Sequence, residues 1–179
     1  MNEIKGVIWI TGLSGAGKTT LASEVVRLLK SKYSNVIYLD GDELRKIFTP
    51  ITDTPHSRES RLNYANQYSS LCNFLAEQGN IVVIATISLF KEIHLKNKKL
   101  IYNYFEVYLK VPIEILIERD SKKIYSSYFD GKLKNISGLD LEIDEPEESD
   151  IVLKNSYDNK ISENAKNVVF KFIKKYAKS

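Results

Sequence analysis

The chain has 179 residues, 43% hydrophobic and 27% charged, with a formal net charge of +3 at pH 7. Those values fit one globular domain with a full core, and the charge is too small to argue for nucleic-acid binding. No apolar run approaches the roughly 20 residues needed to span a bilayer.

Val7, Ile8, Trp9, Ile10 and Thr11 form a short apolar run that predicts a buried parallel strand. The octet that follows runs from Gly12 through Leu13, Ser14, Gly15, Ala16, Gly17 and Lys18 to Thr19, and fits the G-x-x-x-x-G-K-[ST] phosphate loop. In residues 20–30, Leu21, Val25, Leu28 and Leu29 share one helical face. Strand, glycine loop and helix come in the order a phosphate loop requires, which a merely glycine-rich turn would not show. In such a loop backbone N–H groups converge on a polyphosphate, Lys18 reaches the β- and γ-phosphates, and the Thr19 hydroxyl ligates Mg²⁺. The nucleotide contacts expected here are Gly12, Ser14, Gly15, Ala16, Gly17, Lys18, Thr19 and Thr20.

Residues 35–40 predict a second strand, broken by Gly41 and Asp42, and residues 43–48 a short helix. Residues 49–57 carry two prolines and read as a loop. Helical spacing of Leu62, Ala65, Tyr68, Leu71 and Leu75 predicts a helix over 58–78, stopped by Gly79. Residues 81–86 give the strongest strand signal; 90–103 predict a helix and 104–109 another strand. Pro112 opens a helix ending near Asp120. The polar stretch 121–150 predicts a mobile segment, and its acidic part, 142–150, suits either solvated lid surface or a contact with the donor base through its flanks. Residues 151–153 predict a last strand, and 162–178 an amphipathic helix capped by Ser162. Alternating strands and helices argue for an α/β fold, a P-loop NTPase-type parallel β-sheet with helices on both faces. One domain over 1–179 is expected.

The first strand starts close to the N-terminus, so no signal peptide is expected. The single cysteine, Cys72, excludes an internal disulfide and a cysteine-cluster metal site. It reads as a core residue, and a reducing, cytoplasmic setting follows.

Ligands of parallel sheets bind beyond the carboxyl ends of the strands. The phosphate loop, Asp40 to Asp42, and Thr86, Ile87 and Ser88 all fall there. A phosphoryl acceptor needs a nearby carboxylate to take its proton. Asp42 is assigned as that base and Asp40, with Thr19, to the Mg²⁺ site, although either aspartate suits a helix cap. Only five arginines stand among 26 cationic residues: Arg27, Arg45, Arg58, Arg61 and Arg119. Arg45, one turn past Asp42, suits a bidentate grip on an anionic acceptor group. Arg119 suits either a nucleotide contact or a local ion pair. His56 and His94, the only histidines, are too isolated for a metal site or a triad. The guanine-reading Asn-Lys-x-Asp is missing, because Leu100 stands where the aspartate would be, which weighs against a GTPase switch.

The chain resembles the adenylylsulfate (APS) kinases from about residue 6 to 153. The matching stretches are 10–20, 39–45, Ile87 and Ser88, 105–107, 119–122, and a lid-like run over 131–140 followed by Pro146. The resemblance implies transfer from ATP to the 3′-hydroxyl of a nucleotide carrying a 5′-anhydride, a homodimer, and a mobile lid over about 122–146 that excludes water. It places Asp42, Arg45, His56, Arg58, Arg61, Ile87, Ser88, Lys122 and Ile136 on the acceptor side, and Arg119 with the nucleotide. The departures cluster there. Two family phenylalanines sandwich the acceptor's adenine; here those regions read Thr54, Pro55, His56, Ser57 and Ile136, Ser137, Gly138. Stacking on an aromatic ring is worth roughly 1–3 kcal/mol per base, and Ile136 cannot supply it. Leu89 replaces the proline of Ile-Ser-Pro, and of a longer arginine-bearing run only Arg61 remains, with Tyr64 and Gln67 at the later positions. The acceptor expected is therefore a variant nucleotide with a smaller base, as in the family's capsule-associated branch acting on cytidine diphosphoramidate. An adenylylsulfate kinase with a drifted sequence is the alternative, and a non-catalytic nucleotide-binding regulator is an alternative of another class. Retention of Lys18, Thr19, Asp40, Asp42 and Arg45 argues against the regulator.

Overall fold

A computed structural model describes residues 4–48, 57–154 and 160–177. Five strands, β1 (Gly6–Gly12), β2 (Val36–Asp40), β3 (Ile81–Thr86), β4 (Tyr104–Lys110) and β5 (Ile151–Lys154), form one parallel sheet in the order β2-β3-β1-β4-β5. The helices are α1 (Lys18–Lys30), α2 (Gly41–Phe48), α3 (Arg58–Glu77), α4 (Lys91–Leu100), α5 (Ile113–Arg119), α6 (Ile124–Phe129) and α7 (Ile161–Tyr176). Parallel strands need crossover connections, and the helices between them supply the cover for both faces.

Alternation along β1 explains the layering. Ile8 and Ile10 face one side, with Val83, Phe105 and Val107, and pack on Leu21, Val25 and Leu29 of α1 and Val168 and Phe172 of α7. Val7 and Trp9 face the other side, with Val82 and Ile84, and pack on Tyr64, Tyr68 and Cys72 of α3 and Ile93 of α4. Cys72 is fully buried, and burial pushes its thiol up, so it is a core residue as expected. Among the described residues no helix is long and apolar enough to cross a membrane.

Four local expectations are corrected or fall outside the described residues. The helix expected over 90–103 is shorter: Phe90 is extended, and Asn103 sits in the left-handed region (φ 51°) with its side-chain amide donating to Lys5 O at 2.9 Å. Ser162 is not a cap. Helix α7 starts at Ile161, with Lys160 at its N-cap position and no side chain capping it. The polar stretch 121–150 contains α6, nucleated by Asp120, whose two carboxylate oxygens accept from Tyr125 N (2.9 Å) and Ser126 N (2.8 Å). Residues 49–56, and His56 with them, lie outside the described residues.

Candidate active site

At the end of β1 the chain turns through the glycine loop into α1. Gly15 (φ 78°) and Gly17 (φ 92°) occupy left-handed conformations that a side chain would strain. Gly12 is needed for another reason: a Cβ there would lie 2.8 Å from the Leu109 carbonyl of β4. Gly12 and Ala16 are buried beneath the loop, whereas Ser14, Gly15, Gly17, Lys18, Thr19 and Thr20 line an adjoining cleft of about 420 Å³. Lys18 is partly buried, and its Nζ donates to Leu13 O at 2.7 Å. Desolvation lowers its pKa to about 8, with Lys122 adding to the effect and Asp42 and Asp40 opposing it. The loop is also held from outside: the Tyr125 hydroxyl of α6 donates to Ser14 O at 2.9 Å.

The two aspartates leave β2 on different tasks. Asp40 Oδ1 accepts the Asp42 amide at 2.9 Å, which caps α2. Its Oδ2 accepts from Thr19 Oγ1 at 3.1 Å. Asp40 is thus both a cap and a partner of the phosphate loop, roles that sequence reasoning set against each other. Thr19 and Asp40 together offer hard oxygen donors at the mouth of the loop, the donor type Mg²⁺ takes. Asp42 is half exposed and points across the cleft to Lys122, whose Nζ lies 3.0 Å from Asp42 Oδ2. Arg45 follows on the same helix, 3.5 Å from Asp42 Oδ1. Burial works to raise the Asp42 carboxyl, but the Lys122 hydrogen bond and charge, with Arg45 and Lys18, outweigh it and hold it below the usual carboxylate range.

The far wall of the cleft carries Arg45, Arg61, Ile87, Leu133, Lys134 and Ile136. Ile136 is nearly fully buried there. It is set by Asp140, which accepts from Asn135 N (2.8 Å) and Ile136 N (2.6 Å) and holds Asn135 in the left-handed region (φ 62°). Arg61 on α3 donates to the Asn135 carbonyl at 3.0 Å, tying α3 to the 131–140 run. Thr11 Oγ1 donates to Ile87 O, and Ser88, at φ 31°, turns the chain away from β3. Ser88 and Arg58 line a smaller recess next to this wall rather than the main cleft. Arg119 ends α5 as an exposed residue outside the cleft lining. So the structure brings Lys18, Thr19, Asp40, Asp42, Arg45, Arg61, Ile87, Lys122 and Ile136 together, and leaves Arg58, Ser88 and Arg119 at the margins.

Sequence reasoning missed Tyr38, Tyr125 and Leu133. For Tyr38 a signal was available, because it stands two residues from Asp40 and so shares its strand face. The acidic stretch 142–150 is ordered by ion pairs and backbone contacts. It runs along α4 and β4, where Asp144 accepts the Lys91 amide at 3.1 Å, Glu147 and Glu148 meet Lys91 and Lys98, and Glu145 meets Lys110. Asp150 Oδ2 accepts the Glu106 amide at 2.8 Å.

A phosphate loop at the carboxyl edge of a parallel sheet, facing a carboxylate held by a lysine from beyond α5, defines a P-loop kinase. The chain belongs to the adenylylsulphate kinase family, whose model matches residues 5–154. Over 165 residues it is 39% identical to the cytidine diphosphoramidate kinase of Campylobacter jejuni, covering 92% of this chain and 95% of that protein. It is 36% identical over 147 residues to a probable adenylyl-sulfate kinase of Archaeoglobus fulgidus, covering 82% and 94%. The fold matches that of a Mycobacterium tuberculosis APS kinase solved with AMPPNP and APS, with a TM-score of 0.81, 28% identity and coverage of 94% and 97%.

Proposed function

We propose that this protein is an ATP-dependent kinase that phosphorylates the 3′-hydroxyl of a nucleotide 5′-anhydride, and that its acceptor is cytidine diphosphoramidate, used in capsule polysaccharide modification. The observation that carries the variant acceptor is Ile136: an aliphatic side chain, nearly fully buried, forms the cleft wall where the family pattern calls for a ring. The 39% identity to a cytidine diphosphoramidate kinase supports the same reading.

The chemistry follows from the cleft. Lys18 and the loop amides receive the β- and γ-phosphates of ATP. Thr19 and Asp40 are the residues that would hold Mg²⁺, which when bound neutralises phosphate charge. Asp42 takes the proton of the acceptor hydroxyl as its oxygen bonds to the γ-phosphorus; the bond from that phosphorus to the β,γ-bridging oxygen breaks, and ADP leaves. Lys122 and Arg45 hold Asp42 ionised for that task and add positive charge where negative charge is transferred. Residues 122–146 act as a lid that excludes water. Arg45 and Arg61 face the acceptor's anionic groups, and Arg58 and Ser88 its periphery, with Arg119 on the donor side. A single domain over 1–179, a homodimer and a cytoplasmic setting complete the reading.

Adenylylsulfate kinase activity is the second reading, supported by Arg45 and Arg61 in the cleft and by relatives such as the Archaeoglobus fulgidus protein. The test is ADP release with Mg-ATP and each acceptor at matched concentration. A kcat/KM preference of 100-fold or more for the cytidine compound, about 2.7 kcal/mol in the transition state, is expected; preference for adenylylsulfate overturns it. Acceptor-dependent ADP release should be lost in Asp42→Ala, and equal release in both proteins would point to a nucleotide-binding regulator instead.

A further inference from the structure

Tyr38 and Asp40 leave β2 on the same face. The Tyr38 hydroxyl donates to Asp40 Oδ2 at 3.1 Å, the same oxygen that accepts from Thr19 Oγ1 at 3.1 Å. Asp40 Oδ1 is taken by the Asp42 amide at 2.9 Å. Three donors from β2, α1 and α2 therefore converge on one carboxylate.

The three donors are not equivalent. The terminal torsion of an aspartate is broad, so the Asp42 amide alone does not fix where Oδ2 points. Thr19 has one O–H to give Oδ2 and keeps its lone pairs for a cation, but that hydroxyl rotates to suit its surroundings. Tyr38 is rooted in the sheet and meets no cation itself, so it holds Oδ2 beside Thr19 Oγ1 independently of the hydroxyl that does.

We propose that Tyr38 is a positioning residue that fixes Asp40 Oδ2 beside Thr19 Oγ1 and so pre-forms the cation-holding pair. This deepens the kinase reading above and rests on it.

The test compares Tyr38→Phe, which keeps the ring and deletes one oxygen, with wild type by titrating Mn²⁺ into the protein–ADP complex and reading free Mn²⁺ by electron paramagnetic resonance. A hydrogen bond to a charged group predicts a loss of about tenfold in Mn²⁺ affinity. ADP affinity without metal should change less than about twofold, and the half-saturating Mg²⁺ for turnover should rise by the same factor as the Mn²⁺ constant. The loss should vanish when Tyr38→Phe is made in an Asp40→Asn background, because the two groups act as one. Unchanged Mn²⁺ affinity in Tyr38→Phe, or an equal loss in both backgrounds, overturns the proposal. Because Mn²⁺ binding needs no acceptor, a wild type inactive with every nucleotide acceptor would refute the kinase reading and leave this measurement standing.

Discussion

Lys122 Nζ lies 3.0 Å from Asp42 Oδ2, although 80 residues separate them. Lys122 stands beyond α5, between Asp120, which caps α6, and Lys123, whose left-handed conformation (φ 53°) starts that helix. Asp42 stands in the first turn of α2. The contact therefore joins the start of the run proposed as a lid to the aspartate proposed to take the acceptor proton, and with Arg45 and Lys18 it outweighs the effect of burial on that carboxyl.

Replacing Lys122 by methionine should move the acid limb of the pH–kcat/KM profile. The base must be ionised to act, and Lys122 favours the ionised form. Its removal raises the Asp42 pKa, so activity is lost at a higher pH as the solution is acidified. A shift of about one pH unit corresponds to about 1.4 kcal/mol of lost interaction. A profile whose acid limb stays in place, measured with saturating ATP, would show that Lys122 does not govern Asp42.

ATP binding should weaken above pH 8. Desolvation lowers the free-state Lys18 pKa to about 8, and polyphosphate favours its charged form. Below that pH the ammonium is already present; above it, binding must take up a proton, and Kd rises up to tenfold per pH unit. Calorimetry in buffers of differing ionisation enthalpy at pH 7 and 9 should find proton uptake only at pH 9, and none at either pH in Lys18→Met.

Ile136→Phe should shift specificity toward adenylylsulfate. A restored ring offers stacking worth roughly 1–3 kcal/mol to a base, and more to the larger adenine. The ratio of kcat/KM for adenylylsulfate over the cytidine compound is expected to rise by about 5- to 50-fold. A ratio that falls or holds would mean that Ile136 does not contact the acceptor base.

His94 Nδ1 and Glu106 Oε1 meet at 2.7 Å, with the Glu106 carboxylate fully buried and also accepting from Tyr104 and Ser149. His94→Leu leaves a buried carboxylate without its imidazole partner and should cost about 3–5 kcal/mol at pH 7, read from urea unfolding. His94→Leu/Glu106→Leu should recover much of that loss. Burial works to raise the Glu106 carboxyl, but hydrogen bonding and the charge of His94 hold it below the usual range. Its stabilising contribution is therefore present above the ordinary carboxylate pKa and is lost as pH falls through the lowered one. The gap between wild type and His94→Leu should narrow on acidification.

Strand and helix placement was largely legible because it depends on local pattern. The run at 81–86 is apolar throughout and became the fully buried β3. Residues 121–150 were misread because polarity masked a short helix: Ile124, Tyr125, Tyr128 and Phe129 carry helical spacing, but their cap, Asp120, was assigned to the preceding helix. Ser162 was taken as a cap on residue type alone, whereas α7 begins one residue before it, with Lys160 at the N-cap position.

By itself the sequence determined the phosphate loop, the aspartates after β2 and the aliphatic residue at 136. Each is written in consecutive residues whose types and spacing answer to the geometry of a strand, turn or helix. Only the tertiary structure decided that Asp42 meets Lys122, that Asp40 serves Thr19, Tyr38 and the α2 amide together, and that the acidic stretch lies along α4 and β4. Those pairings depend on which strand ends the parallel crossovers bring side by side, and electrostatic attraction between side chains tens of residues apart leaves no periodic trace in the chain.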